Sequence, residues 1–173
     1  MRIVIVGAGI GGLAAALSLE AAGFRDIRIF ERSSEVRGLG VGINLLPHAM
    51  RELTELGLDG RVAGLGVAPT TLAYFNRLGQ PIWSEPRGIE AGYRWPQLSV
   101  HRGRLQLALL DAVRERLGDV VALDHRLAGI DDQTTTARFE TPGGPVDATA
   151  DVIVGADGIH SALRRFRYPR DGE

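Results

Sequence analysis

Cysteine and lysine are both missing from this sequence of 173 residues. Without cysteine the chain has no disulfide, no thiolate metal ligand and no cysteine nucleophile, which is typical of a reducing compartment and predicts the cytoplasm. The 20 basic residues are all arginine and stand against 21 acidic residues, so the formal net charge is only −1. A charge this small gives no overall attraction to nucleic acid or to an anionic membrane, and we expect neither as a partner.

Long hydrophobic runs are also missing. The first apolar run, Ile3–Val6, ends at Gly7 and is too short for a signal peptide. No segment approaches the roughly 20 apolar residues that a membrane span needs. The histidines lie far apart and without ligand spacing, so we predict no metal site; they are His48, His101, His125 and His160. No nucleophile elbow or Walker loop occurs, so the sequence gives no support for nucleophilic catalysis or phosphoryl transfer.

The pattern of apolar residues predicts an α/β fold. The short apolar run Arg2–Val6 is typical of a strand buried on both faces, and Asp26–Glu31 alternates between polar and apolar residues as a strand does. The Ala- and Leu-rich segment Ile10–Ala22 between them predicts a helix that ends at Gly23. Together they form a βαβ unit, so the two strands are expected to be parallel. Three more helices are predicted over Pro47–Leu56, over Arg102–Leu117 and from about His160 or Ser161.

Other segments depart from this α/β rhythm. Thr70–Asn76 and Pro81–Ser84 are predicted to form a hairpin. Three strand-like runs with turn residues between them predict a meander, and a further apolar strand follows it. These runs are Val120–Ile130, Thr134–Glu140, Val146–Thr149 and finally Asp151–Gly155.

A glycine motif joins the first strand to the first helix. In Gly7-Ala8-Gly9-Ile10-Gly11-Gly12, Gly7 permits the turn, Gly9 permits close approach of a pyrophosphate, and Gly12 permits close packing of helix and strand. Glu31 follows Gly12 by 19 residues, at the end of the second strand, where a carboxylate accepts hydrogen bonds from a ribose diol. A glycine-rich turn without a ligand is the alternative. The motif fits FAD and NAD equally; in a nicotinamide enzyme, Glu31 favours NAD over NADP.

Four segments together resemble a known family. They are GAGIGG, Glu31–Ala49, Ser99–Leu110 and Asp151–Arg165. In this combination the chain resembles the class A flavoprotein aromatic monooxygenases, the para-hydroxybenzoate hydroxylase superfamily. Trp83–Gly103 looks closest to the phenazine-carboxylate hydroxylase branch.

The resemblance implies the fold. It implies a Rossmann-like FAD-binding fold, in which a parallel sheet with helices is joined by a three-stranded β-meander, together with the first hairpin of a mixed-sheet substrate domain. Residues 1–68 and 99–173 would form the FAD-binding domain, and residues 69–98 would begin the substrate domain.

The resemblance also implies roles for individual residues. The glycines around Gly9 would hold the FAD pyrophosphate, Glu31 the adenosine ribose, and Arg32 would lie beside the adenine. Arg102, in an Arg-x-x-Leu pattern, would reach phosphate or flavin from the start of its helix; a solvated helix-cap arginine is the alternative. The backbone of Leu127 would touch the adenine, whereas periodicity alone predicts a core residue.

Further implied contacts concern the flavin ring and the nicotinamide. The segment Gly40–Asn44 would pass the isoalloxazine, with Gly42 close to the ring and Asn44 facing flavin or substrate. An ordinary turn or a helix-capping Asn44 is the alternative. Asp157 and Gly158 match a motif associated with FAD and reduced nicotinamide; without the family they predict a strand-end turn. A basic cluster is interpreted as a solvated face in preference to a phosphate or nucleic-acid site; its members are Arg164, Arg165, Arg167 and Arg170.

The activity implied by the resemblance is aromatic hydroxylation. NADH or NADPH would reduce FAD, O2 would add to form the flavin C4a-hydroperoxide, and one oxygen would pass to an aromatic ring, which the branch resemblance implies to be phenazine-like. We expect no catalytic acid or base among these residues. The family's second FAD motif, a Gly-Asp segment, has no counterpart here. We therefore expect part of a longer enzyme that binds FAD weakly when alone.

Two other functions stay open. An NAD-dependent dehydrogenase would share the glycine motif, and a catalytically silent flavin-binding or interaction module would suit the short length. Apolar residues of the hairpin, Tyr74, Phe75 and Trp83, are expected to be exposed. Exposed apolar surface and an open sheet edge favour a homodimer or another association through this face.

Overall fold

The computed structural model describes residues 1–38 and 40–169. These residues form twelve strands, five α-helices and one 3-10 helix over Gly88–Ala91. The strands are β1 Arg2–Val6, β2 Asp26–Phe30, β3 Gly42–Leu45, β4 Gly66–Val67, β5 Thr71–Phe75, β6 Pro81–Pro86, β7 Leu98–His101, β8 Val121–Ala122, β9 Arg126–Asp131, β10 Thr136–Thr141, β11 Gly144–Thr149 and β12 Val152–Gly155. The helices are α1 Ile10–Ala21, α2 Pro47–Glu55, α3 Asp59–Ala63, α4 Arg102–Leu117 and α5 Ala162–Arg167.

A four-stranded parallel sheet in the order β12-β1-β2-β8 forms the centre of the α/β region. The central strand β1 is buried on both faces, with Ile3, Val4, Ile5 and Val6 all at most 3% exposed. The predicted βαβ unit is confirmed, since β1 and β2 are parallel and α1 joins them. Gly23 has a φ of +96°, the left-handed geometry that ends a helix.

The predicted meander is confirmed, but the predicted bounds of its first strand were wrong. Strands β9, β10 and β11 form an antiparallel sheet, whereas the predicted run 120–130 is divided between β8 of the parallel sheet and β9 of the meander. The break falls at Asp124, whose φ is +57°. Two backbone bonds fix it, because Asp124 N–H donates to the carbonyl of Ser33 and His125 N–H to that of Glu31.

Two smaller antiparallel sheets lie within residues 42–101. The predicted hairpin is confirmed as β5–β6, while the sheet β3-β7-β4 was not predicted. Its pattern is visible in β7, where Leu98 and Val100 are buried and alternate with more accessible residues. A strand of four residues gives too little alternation to stand out in a sequence.

Internal contacts divide the chain into two compact units. Unit 1 comprises Met1–Arg37 and Leu109–Glu173, of which residues 170–173 lie outside the described part; unit 2 comprises Gly38–Ala108. The division of domains predicted from the resemblance, with 69–98 in a substrate domain, stays a prediction.

The exposed hairpin in unit 2 was predicted correctly. Tyr74, Phe75 and Trp83 are 54%, 59% and 49% exposed. Association through this face remains a prediction. Among the described residues, no helix has both the length and the hydropathy to cross a membrane.

Candidate cofactor-binding site

The β1–α1 turn in unit 1 requires glycine at two positions. Gly7 has a φ of +106°, and a Cβ atom there would lie 2.5 Å from the carbonyl oxygen of Ala156. A Cβ on Gly12 would lie 1.9 Å from the carbonyl oxygen of Gly7. A side chain at Gly7 would therefore collide with the backbone that follows β12, and a side chain at Gly12 would push α1 away from the turn. This is close packing of the kind that the motif predicts.

The same turn leaves open space at its other two glycines. A Cβ atom added to Gly9 or Gly11 would meet nothing within 4 Å. Gly9 is the N-cap of α1 and supplies no side chain to cap the helix. Gly9 and Ile10 are half-buried and Gly11 is exposed, so the start of this 12-residue helix is accessible, which suits a negatively charged phosphate group.

Glu31 lies beside this turn and is already held in place. Its Oε2 accepts a hydrogen bond from the backbone N–H of Ala8 at 2.8 Å. Its Oε1 accepts from the backbone N–H and the hydroxyl of Ser33, at 3.0 and 2.9 Å. The end of β2 is tied to the turn as well, because Gly7 N–H donates to the carbonyl of Phe30 at 2.8 Å. The structure thus brings Glu31 and the glycine motif together.

Arg32 and Leu127 occupy different environments in unit 1. Arg32 is exposed, and its side chain forms no hydrogen bond or ion pair within the described residues. Leu127 is only 8% exposed and belongs to a core cluster in which Phe139 is fully buried. Because its side chain packs in the core, only the backbone of Leu127 is left for contact with a ligand. Its predicted role requires only that.

Asp157 and Gly158 also adjoin the glycine turn. Ala156, their neighbour, donates its N–H to the carbonyl of Val6 at 2.8 Å. Asp157 Oδ2 accepts from the backbone N–H groups of Ala162 at 2.6 Å and of Leu163 at 3.2 Å, at the start of α5. Gly158 has a φ of +83°. The carboxylate therefore shapes the strand-to-helix turn, and its other oxygen, Oδ1, has no partner among the described residues.

Three of the four arginines in the nearby basic cluster have hydrogen-bond partners within the protein. Arg164 and Arg165 donate to the carbonyls of Ile159 and His160, and Arg167 pairs with Asp132 at 2.7 Å. The fourth member, Arg170, lies outside the described residues.

Gly42 and Asn44 lie in β3 of unit 2. Asn44 is in the strand, and Leu46 is the N-cap of α2, so the alternative of a turn or helix-capping Asn44 was wrong. The hydroxyl of Ser99 in β7 donates to Asn44 Oδ1 at 2.6 Å. With its oxygen engaged, Asn44 presents its NH2 group as a donor.

Arg102 follows β7 directly and belongs to the same unit. Its backbone N–H donates to the carbonyl of Val41 at 3.0 Å. A Cβ at Gly40, whose φ is +139°, would lie 3.3 Å from Arg102 Cβ, so the arginine stem lies against the glycine backbone. The guanidinium is exposed and has no hydrogen bond or ion pair among residues 1–38 and 40–169. It is therefore available to an anion.

Comparison with known proteins decides the family. The profile of the FAD binding domain matches residues 1–167. The chain belongs to the FAD binding domain family. The phenazine 1,6-dicarboxylic acid hydroxylase PhzS of Lysobacter antibioticus is 44% identical over 173 residues, which cover 96% of this chain and 42% of that protein. The 3-amino-4-hydroxybenzoate 2-monooxygenase of Streptomyces cremeus is 35% identical, over 95% of this chain and 41% of that protein.

Solved structures show the same fold. The p-nitrophenol 4-monooxygenase PnpA of Pseudomonas putida DLL-E4 superposes with a TM-score of 0.88 at 22% identity, over 96% of this chain and 43% of that chain. HpxO of Klebsiella pneumoniae, solved with FAD and uric acid, superposes with a TM-score of 0.79 at 27% identity, over 95% of this chain and 41% of that chain. The FAD-binding domain thus spans about two fifths of the length of the proteins it matches.

Several residues around the FAD-binding domain's predicted contacts were missed from the sequence. Ser33 holds Glu31, Ser99 orients Asn44, and His125 ties β9 to the end of β2. His125 also lies beside Phe30, with the ring centroids 5.1 Å apart. Ser99 and His125 carry no spacing pattern, because tertiary pairing brings them to their partners, whereas Ser33 lies only two residues after Glu31 and its contact is local.

Proposed function

We propose that the protein carrying this FAD-binding domain is an FAD-dependent monooxygenase that hydroxylates an aromatic, phenazine-like compound. The observation that supports it most is the 44% identity to a phenazine 1,6-dicarboxylic acid hydroxylase over 96% of the chain. The two relatives described above are by name a hydroxylase and a monooxygenase of small aromatic compounds. NADH or NADPH as reductant and O2 as oxidant belong to the same proposal.

The residues of unit 1 fit the ADP half of FAD. The open N-terminus of α1 at Gly9 and Gly11 would take the pyrophosphate, and Glu31 would accept from the ribose hydroxyls. Arg32, which is exposed and has no side-chain partner in the described part of the chain, would lie against the adenine, with the backbone of Leu127 on the same moiety.

The residues of unit 2 fit the flavin half. Asn44 would donate its NH2 group to an acceptor on flavin or substrate, Gly42 permits close approach of the ring, and the Arg102 guanidinium would pair with phosphate or the flavin edge. FAD, when bound, supplies hydride acceptance from the nicotinamide and activation of O2. Among the described residues we assign only binding and orientation.

Flavin content and reduction test this proposal. The protein as its gene encodes it is purified, its visible flavin absorbance is recorded, and NADH or NADPH is added anaerobically with and without phenazine-1,6-dicarboxylic acid. We expect bound flavin that is bleached by reduced nicotinamide, followed in air by a product heavier by one oxygen. Absence of flavin would contradict the proposal. Flavin that no nicotinamide reduces would favour a silent module, and nicotinamide turnover without flavin would favour a dehydrogenase.

A further inference from the structure

The imidazole of His125 in unit 1 has one nitrogen engaged and one free. Its Nδ1 lies 2.5 Å from the backbone carbonyl oxygen of Leu123. Because a carbonyl oxygen only accepts hydrogen bonds, Nδ1 carries the hydrogen and donates it. In the neutral ring Nε2 is therefore a bare acceptor. Nε2 has no hydrogen bond within the described residues.

This ring is held by packing, and its free nitrogen is accessible. The ring centroid of His125 lies 5.1 Å from that of Phe30 and 6.0 Å from that of Phe139, which is fully buried. His125 itself is half-buried. Among the described residues that are not exposed, no side-chain nitrogen or oxygen both lacks a partner and is fully buried. Nε2 lacks a partner, so it must border accessible space, where a ligand atom can reach it.

The backbone before His125 is held in an uncommon conformation. Asp124 has a φ of +57°, a left-handed geometry that is uncommon outside glycine. Three backbone hydrogen bonds to the end of β2 maintain it. Glu31 N–H donates to the carbonyl of Ala122 at 2.8 Å, Asp124 N–H to that of Ser33 at 3.1 Å, and His125 N–H to that of Glu31 at 2.8 Å. A geometry that the surroundings maintain in this way is common at binding sites.

The order of strands places His125 beyond Glu31, on the side away from the glycine motif. In the sheet order β12-β1-β2-β8, the glycine turn follows β1, Glu31 follows β2, and His125 comes three residues after β8. Ligands of such sheets lie outside the carboxyl ends of the strands. With the pyrophosphate at the end of β1 and the ribose at the end of β2, the base of the dinucleotide extends toward the end of β8, where His125 lies.

An acceptor at this place can recognise adenine through one group only. The 6-amino group is the donor on the edge of this base, whereas its ring nitrogens accept. We propose that Nε2 of His125 accepts a hydrogen bond from the 6-amino group of the FAD adenine, and thereby selects FAD over a flavin dinucleotide without that group. The inference rests on the proposed function, because it adds a contact to the adenosine that Glu31 and the backbone of Leu127 would hold.

Two flavin dinucleotides that differ at this position test the proposal. The protein as its gene encodes it is freed of flavin and titrated by calorimetry with FAD and with its hypoxanthine analogue, in which oxygen replaces the amino group. A pH of about 8 keeps ordinary histidine neutral. We expect FAD to bind more tightly, because the oxygen of the analogue would bring two acceptors together.

His125→Asn removes the acceptor at Nε2 but keeps an amide N–H that can reach the carbonyl of Leu123. It should weaken FAD about fivefold and leave the analogue unchanged, so that the preference for FAD falls by the same factor. In His125→Gln the amide oxygen can take the place of Nε2, and the preference should be retained. A purely structural role of His125 would instead weaken both flavins equally.

The controls separate this inference from the proposed function. Gln133→Ala, in the exposed turn after β9, should bind both flavins normally. Melting temperature reports folding, and His125→Phe, which keeps a ring against Phe30, replaces His125→Asn if the latter fails to fold. Equal affinity of the wild-type protein for both flavins, or an unchanged preference in His125→Asn, would overturn the inference alone. Failure of both flavins to bind the wild-type protein would overturn the proposed function as well.

Discussion

The residues predicted to contact FAD are held differently in the two units. In unit 1, the geometry is set by the backbone and by engaged groups: Gly7 and Gly12 have no room for a side chain, and all three donors to Glu31 are protein groups. In unit 2, the side chain of Arg102 forms no hydrogen bond or ion pair within the described residues. In unit 1 the contacts of Glu31 and of the glycine turn thus also hold the fold together, whereas in unit 2 the side chain of Arg102 adds no such contact within the described chain.

Among the variants that test this contrast, Gly12→Ala is expected to have the largest effect. The new Cβ would lie 1.9 Å from the carbonyl oxygen of Gly7, which is backbone and cannot move aside without displacing α1 from the turn. We expect the free energy of unfolding to fall by about 3 kcal/mol or more. Urea unfolding of the protein without added FAD measures this.

Gly11→Ala is the matched control for Gly12→Ala. It changes the neighbouring residue of the same helix, but its Cβ meets nothing within 4 Å. Because alanine is favoured over glycine inside a helix by about 0.5–1 kcal/mol, we expect unchanged or slightly higher stability. Equal losses in the two variants would contradict the close packing of turn and helix.

Glu31→Ala is expected to have the next largest effect. It removes the acceptor for the ribose and also the anchor of Ala8 and Ser33. Hydrogen bonds to a charged group contribute about 1.5–3 kcal/mol, so FAD affinity should fall by more than tenfold, with some loss of stability. Fluorescence titration with FAD measures the affinity. Glu35→Ala, which removes an exposed partner of Arg37, should leave FAD affinity unchanged, and equal affinity in Glu31→Ala would refute the ribose assignment.

The contrast also explains what the sequence could predict. The glycine spacing and Glu31 were enough to predict the turn of unit 1. The glycines set the backbone geometry directly, and Glu31 binds the backbone N–H of Ala8 in that turn. The run Val120–Ile130 was predicted as one strand but is two, because the break at Asp124 depends on hydrogen bonds to Ser33 and Glu31, which are distant in the chain. In unit 2 the pairing of β3 with β7 was missed for the same reason: Ser99 meets Asn44 through a contact across 55 residues.

Arg102→Gln tests unit 2 with an effect on binding alone. Because the guanidinium is exposed and has no partner in the described chain, the free energy of unfolding without FAD should not change. FAD affinity should fall about tenfold if the guanidinium reaches phosphate or flavin. The control is Arg104→Gln, on the same helix and also exposed, which should keep normal affinity. Equal affinity in both variants would favour a solvated helix-cap arginine at 102.

Ser99→Ala is expected to have the smallest effect on FAD affinity. It tests whether Ser99 orients the Asn44 amide or only stabilises the fold. Ser99 donates to Asn44 Oδ1 at 2.6 Å, which fixes which end of the amide can face a ligand. Without that bond the amide can rotate, so we expect FAD affinity to fall about fivefold, the worth of one neutral hydrogen bond, and the visible flavin bands to shift. Ser99→Thr keeps the hydroxyl and should restore both. A loss of stability in Ser99→Ala with unchanged bands and affinity would mean that Ser99 only joins β3 to β7, and that Asn44 does not face the flavin.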